Sequence, residues 1–392
     1  MTAHVITGAA IANCQGTTTD DVTAGAFAAR DAFSASRAFE ELPFTTLLGV
    51  LPTLPDDLDF PCAQTRLASV AFASVRQLRS AAARTVARWG SMRVAYVFAS
   101  STGGLEQSER AIAPSPLRPA PAVFSYADHL MDATSDSIAH NLGASGPRIA
   151  ISTACSSSFK GLATAARLID HGIADAVIVG SADSLCRTTI YGFHSLGLLA
   201  PTATEPFSTA RNGITLGEGS AYVVLERATD ATRADALAQV SGIGAASDAY
   251  HHTSPHPEGL GGQLAMREAL ARASLAASEI DFVSAHGTGT KLNDTAEALA
   301  ASRVFEGAVP MTATKSLTGH TLGSAGLTSL VLALESIRRQ VIPATRLTAP
   351  VDDALGISLV TRLTEARVRH VLVNAFGFGG SNASVVLSQV AP

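Results

Sequence analysis

The sequence predicts an α/β fold built around a sheet that is buried on both faces. Short apolar runs recur along the chain without the polar alternation expected of a strand that has one face in water. Ala- and Leu-rich segments with helical periodicity, such as 159–169 and 327–337, lie between these runs. A strand, a polar turn and an amphipathic helix also follow one another twice, which predicts a duplicated architecture.

Seven segments are predicted as strands because they are short, apolar and bounded by polar or small residues. They are 94–99, 149–152, 176–179, 221–225, 282–285, 371–374 and 383–387. The helical segments between them favour the α/β class over an all-β sandwich.

The repeated unit begins with strand 149–152, which leads through TACSSS to a helix at about 156–170. Its second copy begins with strand 311–313, which leads through TKSLTGHTLGSAG to a helix at about 324–338. Residues 111–121 and 202–212 have the composition of loops, and neither is long enough to separate domains. We therefore expect two similar halves, 1–234 and 235–392.

Composition excludes several classes of protein. Of the 392 residues, 47% are hydrophobic and 16% charged, which is enough apolar material for a large core. The net charge of -5 provides no basic field for nucleic acid. Because the chain opens without a basic leader and contains no run of about 18 apolar residues, we expect a cytoplasmic protein with no membrane span.

The four cysteines are scattered, without CxxC or paired spacing. This pattern favours free thiols in a reducing compartment over a disulfide framework or a metal site. They are Cys14, Cys62, Cys155 and Cys186.

Cys155 lies between a predicted strand and a predicted helix, in STACSSS. Unpaired N–H groups at a helix N-terminus stabilise anions, so this position is expected to lower the thiol pKa and favour a nucleophile. A buried structural cysteine is equally compatible with this context alone.

Two further turns carry histidines at predicted strand ends. His286 lies in SAHGTGT, and Lys315 and His320 lie five residues apart in TKSLTGH. The glycine-rich segment NAFGFGGSN lacks both the GxGxxG spacing and a P-loop lysine, which excludes a nucleotide-binding loop. One cysteine and two histidines at strand ends suit nucleophilic catalysis assisted by two hydrogen-bond donors.

Six motifs in this order resemble the Cys-His-His signature of the β-ketoacyl-acyl carrier protein synthases, the condensing enzymes of fatty acid and polyketide assembly. They are TACSSS, PFSTARNGITLGEGSAYVVLE, SDAYHHTSP, HGTGT, KSLTGH and NAFGFGGSN. The resemblance extends from about residue 94 to the end of the chain. It implies a thiolase-like fold of two βαβ-rich halves in five layers, usually as a dimer.

The resemblance also implies a role for individual residues. Cys155 would accept the acyl group, and His286 and His320 would form the catalytic pair. Phe378 would be the gating phenylalanine, whose backbone N–H joins that of Cys155 in an oxyanion hole. The remaining assignments are Lys315 in the active-site network, Glu297 as its supporting glutamate, and Thr288, Thr290 and Phe376 as substrate-binding residues.

The implied reaction is the decarboxylative condensation of a malonyl thioester with an acyl group on Cys155, giving a 3-oxoacyl product. It needs no metal and no cofactor beyond the phosphopantetheine of acyl carrier protein. The expected partners are that carrier and a second subunit, either another copy of this chain or a protein resembling a chain-length factor. The pathway stays open between fatty acid and polyketide, including aryl polyene, biosynthesis.

Some positions depart from the family pattern. The region before residue 94 resembles it poorly apart from HVITGAA. Lys160 stands where fatty acid enzymes often have histidine, and the CSSS run is closer to polyketide ketosynthases. With no other domain recognised, we expect a stand-alone ketosynthase.

Two other functions are considered. A silent subunit like the chain-length factors would lack the nucleophilic cysteine, whereas Cys155 is present. A thiolase would use a different arrangement from the HGTGT and KSLTGH pair.

An arginine-rich segment is a candidate docking surface for the acidic carrier, although a solvated helix face explains it equally well. Its members, in a stretch without acidic residues, are Arg66, Arg76, Arg79, Arg84 and Arg88.

Overall fold

The computed structural model describes residues 3–52, 65–306 and 309–390. Eleven strands of these residues form one mixed sheet. Cys62, predicted to be a free thiol, lies outside the described residues. The other three cysteines are free and buried.

Strands in the described residues are numbered in chain order. They are β1 (His4–Asn13), β2 (Ser34–Ala35), β3 (Leu47–Gly49), β4 (Val94–Ala99), β5 (Arg148–Ile151), β6 (Ala176–Asp183), β7 (Leu216–Gly217), β8 (Gly219–Arg227), β9 (Ala238–Ser247), β10 (Phe282–Ser284), β11 (Pro310–Thr312), β12 (Val341–Ile342), β13 (Ser358–Leu359), β14 (Thr364–Glu365), β15 (His370–Gly377) and β16 (Ser381–Ser388).

The α-helices of the same residues are α1 (Thr19–Phe27), α2 (Arg66–Trp89), α3 (Leu105–Ile112), α4 (Met131–Asn141), α5 (Ser157–Asp170), α6 (Arg187–Ser195), α7 (Asp230–Ala234), α8 (Leu260–Ala273), α9 (Lys291–Phe305), α10 (Lys315–Thr318) and α11 (Ala325–Arg339). In this part of the chain, every helix is too short or too polar to cross a lipid bilayer.

The strand order repeats itself about the middle of the sheet. It runs β13-β11-β10-β15-β16-β9-β1-β8-β6-β4-β5. On one side β5, β4 and β6 are parallel, and β8 and β1 continue the sheet antiparallel. On the other side β11, β10 and β15 are parallel, and β16 and β9 continue antiparallel. This repetition gives β5 and β11 equivalent places, as the duplicated sequence unit predicts.

The helices form layers around the two halves of the sheet. Helices α5 and α11 pack against each other and against strands of both halves, within the largest apolar cluster. Helix α2 covers the opposite face of the first half, and α8 with α9 covers that of the second. The buried strands therefore have apolar neighbours on both faces, which is why they lack polar alternation.

All seven predicted strands are present, with bounds within a few residues of the prediction. Strand β9 was not predicted, because its sequence AQVSGIGAAS is rich in small and polar residues. Its glycines are required by packing: a Cβ on Gly244 would lie 2.0 Å from the carbonyl oxygen of Ala265 in α8. The close approach of helix and strand therefore accounts for a sequence with weak strand propensity.

The two proposed loops differ from each other. Residues 202–212 have no regular secondary structure, but Phe207 within them is fully buried. In 111–121, Ile112 and Leu117 are exposed, whereas Arg118 is buried and contacts Glu40, Glu106 and Glu109. Arg187 and Arg110 also donate to the backbone carbonyls of Ala113 and Pro119 in this segment, so several arginines hold it to the rest of the protein.

Candidate active site

Each candidate site residue follows a strand of the sheet, β5 in the first half and β10, β11 or β15 in the second. Cys155 follows β5, His286 follows β10, and Lys315 and His320 follow β11. Phe378 follows β15. In parallel sheets the carboxyl ends of the strands are where ligands bind.

The turn that holds Cys155 has a strained residue before the nucleophile. Ala154 adopts φ 53°, a left-handed conformation that is uncommon for a residue with a side chain. The amide of Thr153 donates to Ser157 Oγ at 2.8 Å, and that hydroxyl donates to the carbonyl of Ala154 at 2.5 Å. These bonds place the thiol at the N-terminal end of α5, with only 6% of the residue exposed.

Burial raises the pKa of the Cys155 thiol to about 11. The ammonium of Lys315 and the backbone N–H groups of Phe378 and Cys155 act in the opposite direction but are outweighed by desolvation. The predicted lowering of this pKa is therefore wrong for the free protein, in which the thiol is protonated at neutral pH. The amides of Phe378 and Cys155 both lower the thiol pKa, and their role in an oxyanion hole stays a prediction.

His286 and His320 lie beside the thiol. Their ring centroids are 5.4 Å apart with the planes at 85°. One ring nitrogen of each histidine and the sulfur of Cys155 all lie within 4.8 Å of one another. The structure thus brings the three residues together, although Cys155 and His286 are 131 positions apart in the sequence.

Hydrogen bonds fix the tautomer of each imidazole. The backbone N–H of Leu322 donates to Nδ1 of His320 at 3.1 Å, and Lys315 Nζ lies 3.2 Å from Nδ1 of His286. A neutral imidazole has one N–H, so an Nδ1 that accepts leaves the proton on Nε2. Burial and the charge of Lys315 lower the pKa of both histidines well below 6.5, and both are therefore neutral Nε2–H donors.

The same three side chains have the spacing of a possible metal site. Thiolate and imidazole ligands suit zinc. However, a metal-binding nitrogen must carry no proton, and the hydrogen bonds place a proton on Nε2 of both histidines. The arrangement therefore favours hydrogen-bond donation to a substrate oxygen.

Lys315 is buried next to His286. Besides its contact with the ring, its Nζ donates to the carbonyl oxygen of His286 at 2.5 Å. Burial lowers the pKa of the ammonium to about 8, and the carboxylate of Glu297 acts against this fall. Lys315 is thus largely charged at neutral pH and loses its charge in mildly alkaline solution.

Glu297 supports the turn through the backbone. Its two carboxylate oxygens accept the N–H groups of His286 and Gly287, each at 2.7 Å. Asp294, one helical turn earlier in α9, accepts from the amides of Thr288, Gly289 and Phe207. By accepting these N–H groups, the two fully buried acids fix the backbone conformation of the HGTGT turn. Asp294 was not singled out from the sequence, although its place in HGTGTKLNDTAEA was a usable signal.

A cavity of about 180 Å³ leads from Cys155 to the surface. Thr288, Thr290 and Phe376 line it, as the resemblance implies. The two threonine hydroxyls lie 2.9 Å apart. The lining also includes the apolar residues Phe193, Leu196, Leu198, Ile214 and Phe378 and the polar residues Thr253, Ser254 and Asn293. Such a mixed lining suits a ligand with both an apolar chain and polar amide groups.

Phe378 stacks on Phe193 of α6, with ring centroids 5.4 Å apart. Gly379, directly after it, has φ 76°, and Gly380 has φ 71°. A Cβ on Gly380 would lie 2.6 Å from that of Asp248, so this turn requires glycine for both its conformation and its contacts. Phe193 had no signal of its own in the sequence.

Asp183, at the end of β6, is a further buried acid that was not predicted. Its Oδ1 accepts hydrogen bonds of 2.8 Å from Ser100 Oγ, the amides of Ser101 and Thr102, and Thr102 Oγ1. Its Oδ2 accepts from the amide of Ser324. Despite these donors, burial raises the pKa of this carboxyl to about 6. It joins the loop after β4 to the segment that follows His320.

The arginine-rich segment forms α2, but not a free docking surface. Arg66 pairs with Glu218, which is 1% exposed, and Arg88 pairs with Glu226, which is fully buried. Arg79 and Arg84 are exposed, and Arg76 is intermediate. At least the two terminal arginines therefore neutralise buried acids, which corrects the interpretation of this segment as one surface.

Lys160 is half-buried on α5. Burial, assisted by the charge of Arg167, lowers its pKa. Lys160 does not line the cavity and does not belong to the Cys155–His286–His320 group. A lysine at a position where fatty acid enzymes often have histidine therefore changes neither the cavity lining nor that group.

Comparisons with known proteins agree with this geometry. The family model "Beta-ketoacyl synthase, N-terminal domain" matches residues 65–231, and "Beta-ketoacyl synthase, C-terminal domain" matches 237–348. The chain is 33% identical over 317 residues to 3-oxoacyl-[acyl-carrier-protein] synthase 2 of Vibrio cholerae, which is 76% of each protein. The chain belongs to the beta-ketoacyl synthase family. The predicted condensing activity, of acyltransferase type, is thereby confirmed.

Other members of the beta-ketoacyl synthase family are similar in sequence or fold. Nodulation protein E of Rhizobium meliloti is 34% identical over 296 residues, 74% of this chain and 73% of that protein. A structure of the ketosynthase ApeO in complex with its chain length factor ApeC, from Xenorhabdus doucetiae, matches with a TM-score of 0.90 and 32% identity over 100% of this chain and 98% of that one. A beta-ketoacyl synthase from Burkholderia phymatum matches with a TM-score of 0.86 and 26% identity, over the full length of both. The thiolase-like fold is confirmed, and the boundary between halves at 234/235 stays a prediction.

Proposed function

We propose that this chain is a 3-oxoacyl-acyl carrier protein synthase that condenses malonyl-carrier protein with an acyl group held on Cys155, in fatty acid or polyketide biosynthesis. The observation that carries the proposal is the placement of two neutral imidazoles, each with its proton on Nε2, beside one buried thiol. Two such donors can stabilise the oxygen of an enolate without transferring a proton to it.

The first step transfers the acyl group. The sulfur of Cys155 attacks the carbonyl carbon of an acyl thioester, and the carrier sulfur leaves. The thiol proton of Cys155 is balanced by the proton that the leaving phosphopantetheine thiolate takes up. The amides of Phe378 and Cys155, which already act on the sulfur, are proposed to stabilise the negative oxygen of the intermediate.

The second step forms the carbon nucleophile. A malonyl thioester loses its carboxylate as CO2, and the electron pair of the broken C–C bond becomes the enolate. The Nε2–H groups of His286 and His320 are proposed to donate to the thioester oxygen, where this charge is located. Burial disfavours a charged imidazolium because the charge loses its hydration. The pKa values of both histidines are therefore lowered, and both rings are neutral.

The third step joins the two carbon chains. The enolate carbon attacks the acyl carbonyl on Cys155, a C–C bond forms, and the C–S bond to Cys155 breaks. The departing thiolate then takes a proton from solvent, which restores the thiol. The product is a 3-oxoacyl thioester on the carrier, two carbons longer than the acyl group.

The alternative functions are less well supported. A silent subunit needs no nucleophile in its cavity, yet Cys155 lies in the cavity wall beside both histidines. A thiolase would condense acetyl-CoA without decarboxylation, a reaction that requires a base to remove a carbon-bound proton. Here both imidazoles hold the proton on Nε2 and are poorly suited to that task.

A second subunit is proposed from the surface beside the nucleophile. Strand β5 is an end strand of the sheet and leads directly to Cys155. An unpaired edge of this kind invites pairing with another chain. From the end of α3 to the start of α4, the side chains of Ile112, Leu117, Val123, Phe124 and Tyr126 are exposed. The partner is proposed to be another copy or a chain-length-factor-like protein, since a similar solved structure contains a ketosynthase with such a factor.

Acyl carrier protein is the proposed substrate carrier, and its phosphopantetheine is the only prosthetic group that the reaction involves. The polar lining residues Thr288 and Thr290 would receive this arm. Free thiols at Cys14, Cys155 and Cys186 support the expected cytoplasmic location, where thiols stay reduced.

The test compares the wild-type protein with Cys155→Ala on malonyl-carrier protein and an acyl-carrier protein. The wild type is expected to release CO2 and form the 3-oxoacyl product. Cys155→Ala should form no product yet still release CO2, because both imidazole donors remain. A wild type that condenses acetyl-CoA but ignores malonyl-carrier protein would favour a thiolase, and 3-oxoacyl product from Cys155→Ala would contradict the nucleophile.

A further inference from the structure

Asn374 connects the site to the interior of the second half of the sheet. It lies on β15 at the level where the neighbouring strand β10 ends, one position beyond the pair Ser284–Val373. Its Nδ2 donates to Oε1 of Glu297 at 3.0 Å. The same carboxylate oxygen accepts the backbone N–H of His286. One amide thus contacts the acid that holds the catalytic turn.

A second side chain fixes the direction of that amide. Ser384 lies directly opposite Asn374 on β16, and its hydroxyl donates to Oδ1 of Asn374 at 2.7 Å. Because Oδ1 is held by this donor, the NH2 group must face Glu297. The other contact of Nδ2 is a weak one with the sulfur of Met266 at 3.6 Å. Asn374 and Ser384 are at most 1% exposed, so water does not replace these bonds.

We propose that Asn374 is a positioning residue for decarboxylation, which it supports by keeping Glu297 ionised and in place, and that Ser384 sets its orientation. The inference rests on the proposed function. Asn374 reaches no reacting atom and acts through Glu297, which in turn holds the amides of His286 and Gly287. If Glu297 shifts, the ring of His286 loses its fixed direction toward the substrate oxygen.

The charge balance around Glu297 makes this support necessary. Burial raises the pKa of its carboxyl, and the donor from Asn374 counteracts the rise. The carboxylate in turn raises the pKa of Lys315. The titratable and charged groups that act on one another here are His286, His320, Cys155, Asp294, Glu297 and Lys315.

Removing the amide should therefore affect the pH dependence. Without the donor, Glu297 protonates more readily and its pKa rises further. The ionised carboxylate, which accepts the amides of His286 and Gly287, is present above this pKa and is lost as the pH falls through it. Decarboxylation in the variant should therefore lose activity on the acid side at a higher pH than in the wild type, an effect that a general loosening of the fold would not produce.

The experiment measures CO2 release from malonyl-pantetheine between about pH 5 and 9.5 for the wild type, Asn374→Leu and Ser384→Ala. For Asn374→Leu we expect kcat about 10- to 100-fold lower, the usual effect of losing a hydrogen bond to a charged group, with KM changed less. Its acid limb should move to higher pH. Ser384→Ala, which leaves the amide in place but unoriented, should give smaller changes in the same direction.

Ser388→Ala is the matched control. Ser388 is on the same strand, four residues from Ser384, and its hydroxyl contacts Ser241 and His370 instead of the site. This variant should keep the wild-type profile. Thermal melting of each variant reports folding, and if Asn374→Leu does not fold, Ser384→Ala decides.

The outcomes separate the two proposals. If the wild type releases no CO2, the proposed function fails irrespective of Asn374. If the wild type is active and both site variants keep its kcat and its acid limb, the positioning role is overturned. Equal losses in Ser384→Ala and Ser388→Ala would also overturn it, since they would show a purely structural effect of the strand.

Discussion

Lys315→Met tests whether a buried ammonium is needed for decarboxylation. Lys315 donates both to the carbonyl and toward Nδ1 of His286, and methionine retains much of the buried apolar volume without either donor. The pKa of the ammonium, lowered by burial to about 8, determines the expected pH profile. The charged form is present below this pKa and is lost as the pH rises through it.

The magnitude follows from this value. With a pKa of about 8, roughly 90% of Lys315 is charged at pH 7 and roughly 10% at pH 9. If the charged form is the active one, CO2 release falls about tenfold over that range. Lys315→Met should be about 10- to 100-fold slower than the wild type at pH 7, because two hydrogen bonds from a charged donor are lost, and its rate should show no alkaline limb.

The assay uses malonyl-pantetheine in the Cys155→Ala background, so that no condensation follows. Rates are measured from pH 7 to 9.5 against a reaction without protein, which corrects for thioester hydrolysis. Asp183 and Asp294 titrate at about pH 6, below this range. A wild-type rate that stays constant to pH 9.5, or an alkaline limb that persists in Lys315→Met, would refute the assignment of the limb to Lys315.

The remaining predictions concern one donor, one nucleophile and one ion pair. His320→Ala should slow CO2 release about 100- to 1,000-fold, yet its Cys155 should still take an acyl group, as intact mass would show; normal CO2 release would contradict the paired-donor mechanism. Iodoacetamide should label Cys155 before Cys14 and Cys186, because Cys155 lines the cavity and the other two are not among its lining residues; peptide mapping that finds another order would contradict this. In urea unfolding, Arg66→Met should cost about 3–5 kcal/mol because it leaves Glu218 buried without its partner, whereas Arg76→Met should cost less than about 0.5 kcal/mol. Similar losses of unfolding free energy in the two variants would show that the buried Arg66–Glu218 pair contributes no more than an exposed arginine.

The sequence by itself determined the strands, the duplicated unit and the principal site residues. Strands such as β4 and β8 are recognisable because burial on both faces requires continuous apolar residues. The nucleophile and the two histidines were identified through motifs that resemble a family, since each turn combines small residues with one reactive side chain. Patterns of this kind can be recognised from the sequence because the residues that form them are adjacent in the chain.

Only the tertiary structure decided the protonation states and the supporting contacts. Cys155 stands at a helix N-terminus, yet burial raises its pKa, because desolvation depends on atoms contributed by distant segments. The pairing of Arg66 with Glu218 joins residues 152 positions apart, so a charge pattern along α2 could not distinguish a docking surface from a buried ion pair. The contact of Asn374 with Glu297 likewise depends on which strands are neighbours. Hydrogen bonds and electrostatic interactions depend on which residues are close in space. For residues far apart in the sequence, only the folded structure shows this.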